Sequence, residues 1–291
     1  MGQILFVVWR ESVEALLVVG ILYAWLKNGD AAARRGLPYL WVGVVVGLLA
    51  ALGLGAVLVG VSEVLSGDAL DAFQAAMVLV ASALIVQMVL WMKHHGRTLK
   101  RDMEQALLEN TRRESHWGIA LLVALAIARE GSETVIFLYG LGFGQNGHIT
   151  AAMAAGVGGG LALAFLTFYL LQLGGALFSW RRFFRVTEVL LLLLAAGLLQ
   201  SGVDKLISLE WLPTLVDPLW NTSAVLDDGS IGGSFIATLT GYRAHPSLTN
   251  VLTYAAFWLL VRILSRRAGR PAAARQAGPG GQGRPGGSAA P

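Results

Sequence analysis

Two stretches of this chain place charged side chains inside otherwise apolar segments. Trp9-Arg10-Glu11-Ser12-Val13-Glu14 and Ala128-Arg129-Glu130-Gly131-Ser132-Glu133 share the pattern Arg-Glu-x-x-Glu. On a helix that advances about 100° per residue, the arginine and both glutamates of each copy lie within an arc of about 100°, so all three can face one cavity. A charge near the middle of a membrane helix costs about 2.5–3.5 kcal/mol even on the lenient insertion scale, so residues of this kind need a reason. One reason is that each arginine neutralises a glutamate and the pairs pin two helices together. That leaves the second glutamate of each copy as an unpaired carboxylate, costly unless a cation or a proton satisfies it. Four carboxylates, Glu11, Glu14, Glu130 and Glu133, converging between two helices form an oxygen-rich anionic site suited to hard cations such as Fe(III), Fe(II) or Mn(II). With one Arg against two Glu per copy, the pair of motifs carries about −2, enough to attract a cation without preventing its release. Arg10 and Arg129 then act in support, holding the carboxylates in place and limiting their mutual repulsion.

The elements that must position these residues are membrane spans. Hydrophobic residues make up 55% of the 291 and charged residues only 14%, against roughly one-quarter charged in a soluble domain. A spanning helix needs about 20 mostly apolar residues. The chain offers seven such runs: Gln3 to Leu26, Pro38 to Val61, Asp71 to Met92, Trp117 to Gly144, His148 to Ala176, Phe183 to Leu209 and Leu248 to Leu264. The fold class expected is an all-α polytopic membrane protein.

Every second linker is basic. Lys27, Arg34 and Arg35 follow the first span; Lys93, Arg97, Lys100, Arg101, Arg112 and Arg113 follow the third; Arg181, Arg182 and Arg185 follow the fifth; Arg266, Arg267 and Arg270 follow the seventh. The linkers Ser62 to Leu70 and Gln145 to Gly147 hold no Lys or Arg. The positive-inside rule therefore puts the N-terminus outside a cell membrane and the C-terminus in the cytoplasm, as an odd number of spans requires. It also explains the net charge of +4 without nucleic acid as a partner. No basic residue precedes Arg10, so the first span is expected to be retained rather than cleaved. The linker after the third span carries Leu99, Met103, Ala106 and Leu107 at helical spacing, which predicts a short amphipathic cytoplasmic helix acting as a solvated connector. From residue 268 the composition turns to Gly, Pro, Ala, Gln and Arg, so 268–291 is expected to be a disordered cytoplasmic tail.

The motif spans also reveal an internal repeat. Each is followed by a span with Gly-x-x-x-Gly: Gly43 with Gly47, and Gly156 with Gly160. Those glycine pairs by themselves read as ordinary close helix packing. Two blocks of three spans, about 1–92 and 117–209, enter the membrane from opposite sides, as inverted repeats do in secondary transporters. The seventh helix, about 248–264, stands outside them, and residues 1–267 are expected to form one transmembrane domain.

Paired Arg-Glu-x-x-Glu motifs in the first and fourth of seven spans resemble the high-affinity iron permeases of fungi and bacteria, especially the bacterial EfeU type. The likeness extends to Leu219-Trp220-Asn221-Thr222-Ser223 and to Gly241-Tyr242-Arg243-Ala244-His245-Pro246-Ser247, which are similar to that family's last external loop and the start of its seventh helix. The resemblance implies that Glu11, Glu14, Glu130 and Glu133 bind iron in transit, with iron as substrate and no bound organic cofactor. It also implies extracytoplasmic partners, an iron-binding protein together with a haem peroxidase or a multicopper oxidase. One departure is Gln74, early in the third span, where these permeases often carry Glu; the help that Glu gives is weakened or missing here.

The remaining polar residues suggest lesser roles. Glu188 is expected to pair with Arg182 or Arg185, and Asp204 and Lys205 to sit at the outer interface. Glu210, Asp217, Asp227 and Asp228 give a solvated loop an acidic character. His94, His95, His116, His148 and His245 lie in or beside linkers, which makes none of them a central ligand. Asn221-Thr222-Ser223 fits a glycosylation pattern that recurs by chance. A carboxylate-bridged diiron enzyme is the rival from another class, but such sites add Glu-x-x-His pairs, and no span carries one. A permease for Mn(II) or Pb(II) is the rival within transport. With no cysteine in the chain, a metal must be held by oxygen or imidazole. No Gly-x-x-x-x-Gly-Lys-Ser/Thr loop is present, so energy comes from an ion gradient, the membrane potential or a partner's redox step.

Overall fold

The computed structural model describes residues 2–95, 116–142, 150–173 and 180–268. All regular structure among them is helical. In chain order the helices are α1 (Gly2–Asn28), α2 (Ala31–Arg34), α3 (Leu37–Val64), α4 (Asp68–His95), α5 (His116–Gly140), α6 (Ala151–Leu173), α7 (Trp180–Ser208), α8 (Ile231–Thr240) and α9 (Leu248–Ala268). The seven long helices coincide with the seven expected spans to within a few residues at each end. Five of them, α3, α4, α6, α7 and α9, are long and apolar enough to cross a membrane by length and composition. The other two, α1 and α5, carry the paired motifs, which put at least three charged residues into every 18-residue stretch of either helix. The helix expected around Leu99 to Leu107, the linker Gln145 to Gly147 with His148, and the tail after residue 268 lie outside the described residues.

Local sequence accounts for several helix ends. The Asp30 carboxylate accepts from the Ala33 amide at 2.9 Å and starts α2, satisfying one of the orphan donors of a first turn. Asp68 and Asp71 lie in the first turn of α4, where negative charge complements the helix dipole. The stretch between α7 and α9, expected as loop, contains α8. Ser230 caps it, and it ends at Gly241, whose φ of 76° is the left-handed conformation that glycine adopts freely.

The packing pairs are regular. Helix α1 lies along α6, α3 along α5, and α4 along α7, while α1 and α5 also touch each other. Glycine sets two of these approaches: a Cβ on Gly43 of α3 would come 2.5 Å from the Ala120 carbonyl, and one on Gly160 of α6 would come 2.8 Å from the Leu5 carbonyl. Outward faces of α3 and α6 expose Trp41, Leu48, Leu49, Leu52, Phe165 and Tyr169, as helices facing lipid should. Tyr39 and Trp117, near the starts of α3 and α5, meet edge to face at 5.4 Å, the kind of aromatic pair that anchors a bundle at a membrane interface.

The interior divides into two apolar clusters. One joins Val7 of α1 to Val78, Ala81 and Ile85 of α4, Phe137 of α5, Leu191 and Leu194 of α7, and Phe257 of α9. The other joins Val18, Leu22 and Leu26 of α1 to Leu40 of α3 and Ile119, Val123 and Ile127 of α5. On α1 the first cluster ends at Val7 and the second resumes at Val18; on α5 the break falls between Ile127 and Phe137. Both motifs occupy that break.

Candidate metal centre

The apolar residues before and after each motif fix α1 and α5, and so the six charged side chains between them are held by packing on either side. Arg10 is 2% exposed and Glu11 1%. The Arg10 guanidinium contacts a Glu11 carboxylate oxygen at 2.7 Å and a Glu14 oxygen at 2.5 Å. Helical geometry explains the second contact, since residues i and i+4 share a face. The second motif repeats only part of this pattern. Arg129 Nε donates to Glu133 Oε1 at 3.0 Å, and Glu130 has no ion pair among the described residues. Arg129 is 42% exposed and Glu133 12%.

One oxygen from each of Glu11, Glu14 and Glu130 lies within 4.8 Å of the others, a spacing able to hold a metal ion. Glu133, the fourth residue expected in the site, is not in that group and is turned onto Arg129. Glu11 Oε2, Glu130 Oε2 and Glu133 Oε2 are buried and make no hydrogen bond, and Glu14 Oε1 has only its ion pair with Arg10. Buried carboxylate oxygens left in this state are expensive. A cation drawn into the cluster would satisfy them, and oxygen donors of this kind suit a hard or borderline ion.

Three neighbours of the site carry little signal in the sequence. Arg10 NH1 donates to Met88 Sδ at 2.7 Å and NH2 to Met92 Sδ at 2.8 Å, and Arg129 Cζ stands 4.4 Å from the centroid of the Trp91 ring. All three belong to one turn of α4. Methionine and tryptophan in an apolar run read as filling and interface anchoring, so only the spacing of Met88 and Met92 at i, i+4 hinted at a shared face.

Other polar residues acquire partners, and one of them differs from expectation. Glu188 pairs with Lys93 of α4 at 2.5 Å rather than with Arg185 on its own helix; the side chain of Arg182 is not among those described. Lys93 also reaches Ser265 Oγ at 3.1 Å, tying α4, α7 and α9 together at one end. Asp204 accepts from Arg243 at 3.0 and 2.6 Å and from the Asn250 side-chain amide at 2.8 Å. Lys205 donates to the buried Gln74 at 2.8 Å. In the loop, Asp227 and Asp228 accept backbone amides of Gly229 and Ala244, and Thr222 meets the Tyr242 hydroxyl at 2.6 Å. His245 is exposed.

Comparison with known proteins gives a consistent result. Residues 1–266 match the family described as Iron permease FTR1 family. The chain is 29% identical over 268 residues to the ferrous iron permease EfeU of Escherichia coli O6:K15:H31, covering 90% of this chain and 95% of that protein. It is 28% identical over 260 residues to the ferrous iron permease EfeU of Yersinia pestis, covering 89% and 90%. No solved structure matches the chain.

Proposed function

This chain belongs to the iron permease FTR1 family, and from that premise we propose that it carries iron through a carboxylate site shared by α1 and α5. It is a multi-pass membrane protein of a transporter family and not an enzyme. The observation that carries the site is the convergence of Glu11, Glu14 and Glu130, with oxygens within 4.8 Å of one another, beside buried carboxylate oxygens that make no hydrogen bond. Two of the converging glutamates come from one motif and one from the other, so neither helix alone makes the site. Glu133 completes it by leaving Arg129 when the ion arrives. The exposed flank of Arg129 faces water rather than lipid, since a guanidinium in a spanning helix lines a cavity or the bundle interior. The relatives are named for ferrous iron, and Fe(II) is the first substrate to test here, with Fe(III), Mn(II) and Pb(II) as competitors.

The packing pairs support two inverted repeats within residues 1–267, one of α1, α3 and α4 and one of α5, α6 and α7. The first helix of each block packs on the second helix of the other, and the two third helices pack together. An exchange of this kind is what a pseudo-twofold axis in the membrane plane produces. The N-terminus then lies outside and the tail in the cytoplasm, and a cysteine introduced at Ser288 stays unlabelled by an impermeant thiol reagent in intact cells. Delivery of iron by an extracytoplasmic binding protein with a haem peroxidase or multicopper oxidase belongs to the same reading.

The test is metal uptake by purified protein in liposomes, counted per correctly inserted molecule, with Fe(II), Fe(III), Mn(II) and Pb(II) compared. Uptake of iron is expected to fall sharply in Glu130→Gln, which removes one charge at almost constant volume. Wild-type uptake in that variant would overturn the carboxylate site.

A further inference from the structure

A single turn of α4 touches both motif arginines, and it does so with groups that hold a cation weakly. Met88 and Met92 present their sulfurs to the two terminal nitrogens of Arg10, at 2.7 and 2.8 Å, while the Trp91 ring lies 4.4 Å from Arg129 Cζ. A thioether is a weak acceptor, and an indole face attracts a guanidinium through its quadrupole without accepting a directed hydrogen bond. The buried Arg10 Nε makes no hydrogen bond at all. Among the described residues, Arg10 is thus bound firmly only through Glu11 and Glu14, two of the three glutamates that converge.

An ion that takes those oxygens must loosen Arg10 from them. A guanidinium stripped of its carboxylates inside a membrane is costly to leave unpaired, so the exchange needs substitute acceptors already in contact with it. They must also be weaker than a carboxylate, or the arginine would not return when the ion leaves. Met88 and Met92 meet both conditions for Arg10, and Trp91 meets them for Arg129.

We infer that the Met88–Met92 turn of α4 is a berth for the motif arginines: Met88, Trp91 and Met92 are positioning residues that keep the guanidinium groups when a cation displaces them from the glutamates. The inference rests on the carboxylate site proposed above. It makes α4 a third wall of the transport site, set by soft and polarisable side chains rather than by charge.

The experiment uses the full chain in liposomes with ferrous iron kept reduced by ascorbate, reading half-saturating concentration and maximal rate separately. Leucine matches methionine closely in volume, so Met88→Leu/Met92→Leu should insert normally and raise the half-saturating iron concentration about tenfold, with the maximal rate little changed. Trp91→Leu should raise it about threefold, and Trp91→Phe, which keeps an aromatic face, should restore most of the loss. The decisive comparison is a double-mutant cycle. In an Arg10→Lys background the two leucines should add nothing, because a compact ammonium cannot span both sulfurs. An equal rise in both backgrounds would mean the methionines act only as packing, and overturns the berth. Unchanged half-saturation in the double leucine variant, with Glu14→Gln still defective, removes the berth and leaves the carboxylate site standing. Normal uptake by Glu14→Gln removes both.

Discussion

The two Arg-Glu-x-x-Glu copies have the same residues at the same spacing, and they differ in what surrounds the arginine. Arg10 is 2% exposed, grips both glutamates of its own motif and rests on two thioethers. Arg129 is 42% exposed, grips one glutamate and lies over one indole ring. The difference decides which carboxylates are available. Glu11 and Glu14 are neutralised where they stand, so an ion must compete with Arg10 for them. Glu130 has no arginine among the described residues and joins the first motif's pair across the helix boundary. A repeated motif therefore need not mean a repeated role: in the proposed site the first copy is the guarded half and the second the open half.

That contrast can be broken or sharpened by substitution. The largest effect is expected from Arg10→Met, which leaves Glu11 and Glu14 as buried unpaired charges and should destabilise the protein by about 3–5 kcal/mol. Arg129→Met, at a pair whose arginine is partly exposed, should cost less, about 1–2 kcal/mol. Thermal denaturation in detergent measures both, and equal losses would erase the distinction between guarded and open halves. Next in size, Glu14→Gln should lower iron uptake per inserted molecule by about 100-fold, while Glu133→Gln, already turned onto Arg129, should lower it about tenfold. If Glu133→Gln proved the more damaging, the converging trio would be the wrong centre. The smallest effect is expected from Arg129→Lys, which keeps the charge but loses the planar fork. A loss of about two- to threefold in uptake is expected, against a visibly larger loss for Arg10→Lys, whose fork binds two carboxylates at once.

Much of this architecture is legible in the sequence. The seven long helices coincide with the apolar runs of the sequence, because a backbone in lipid must satisfy its hydrogen bonds within the segment. Only five of them, however, are long and apolar enough to cross a membrane by length and composition. The six motif residues stood out because charge in such runs is rare. Partner choice was not legible. Glu188 had arginines three and six positions back on its own helix, yet it pairs with Lys93 from α4, and Asp204 finds Arg243 from the loop thirty-nine residues on. Helix α8 was hidden in a loop because its ten residues are too few to read as a span. Spacing groups Glu133 with the other three glutamates, but its ion pair with Arg129 is a contact that spacing alone does not give.

The sequence by itself determined the helices, the polar belt within them and the pairing of two anionic motifs, since these depend on local periodicity and on the cost of charge in lipid. The tertiary structure alone decided which glutamates meet, why one arginine is locked and the other open, and that Met88, Trp91 and Met92 attend them. Those outcomes depend on the register and approach of α1, α4 and α5, set by interlocking of distant side chains that no single segment encodes.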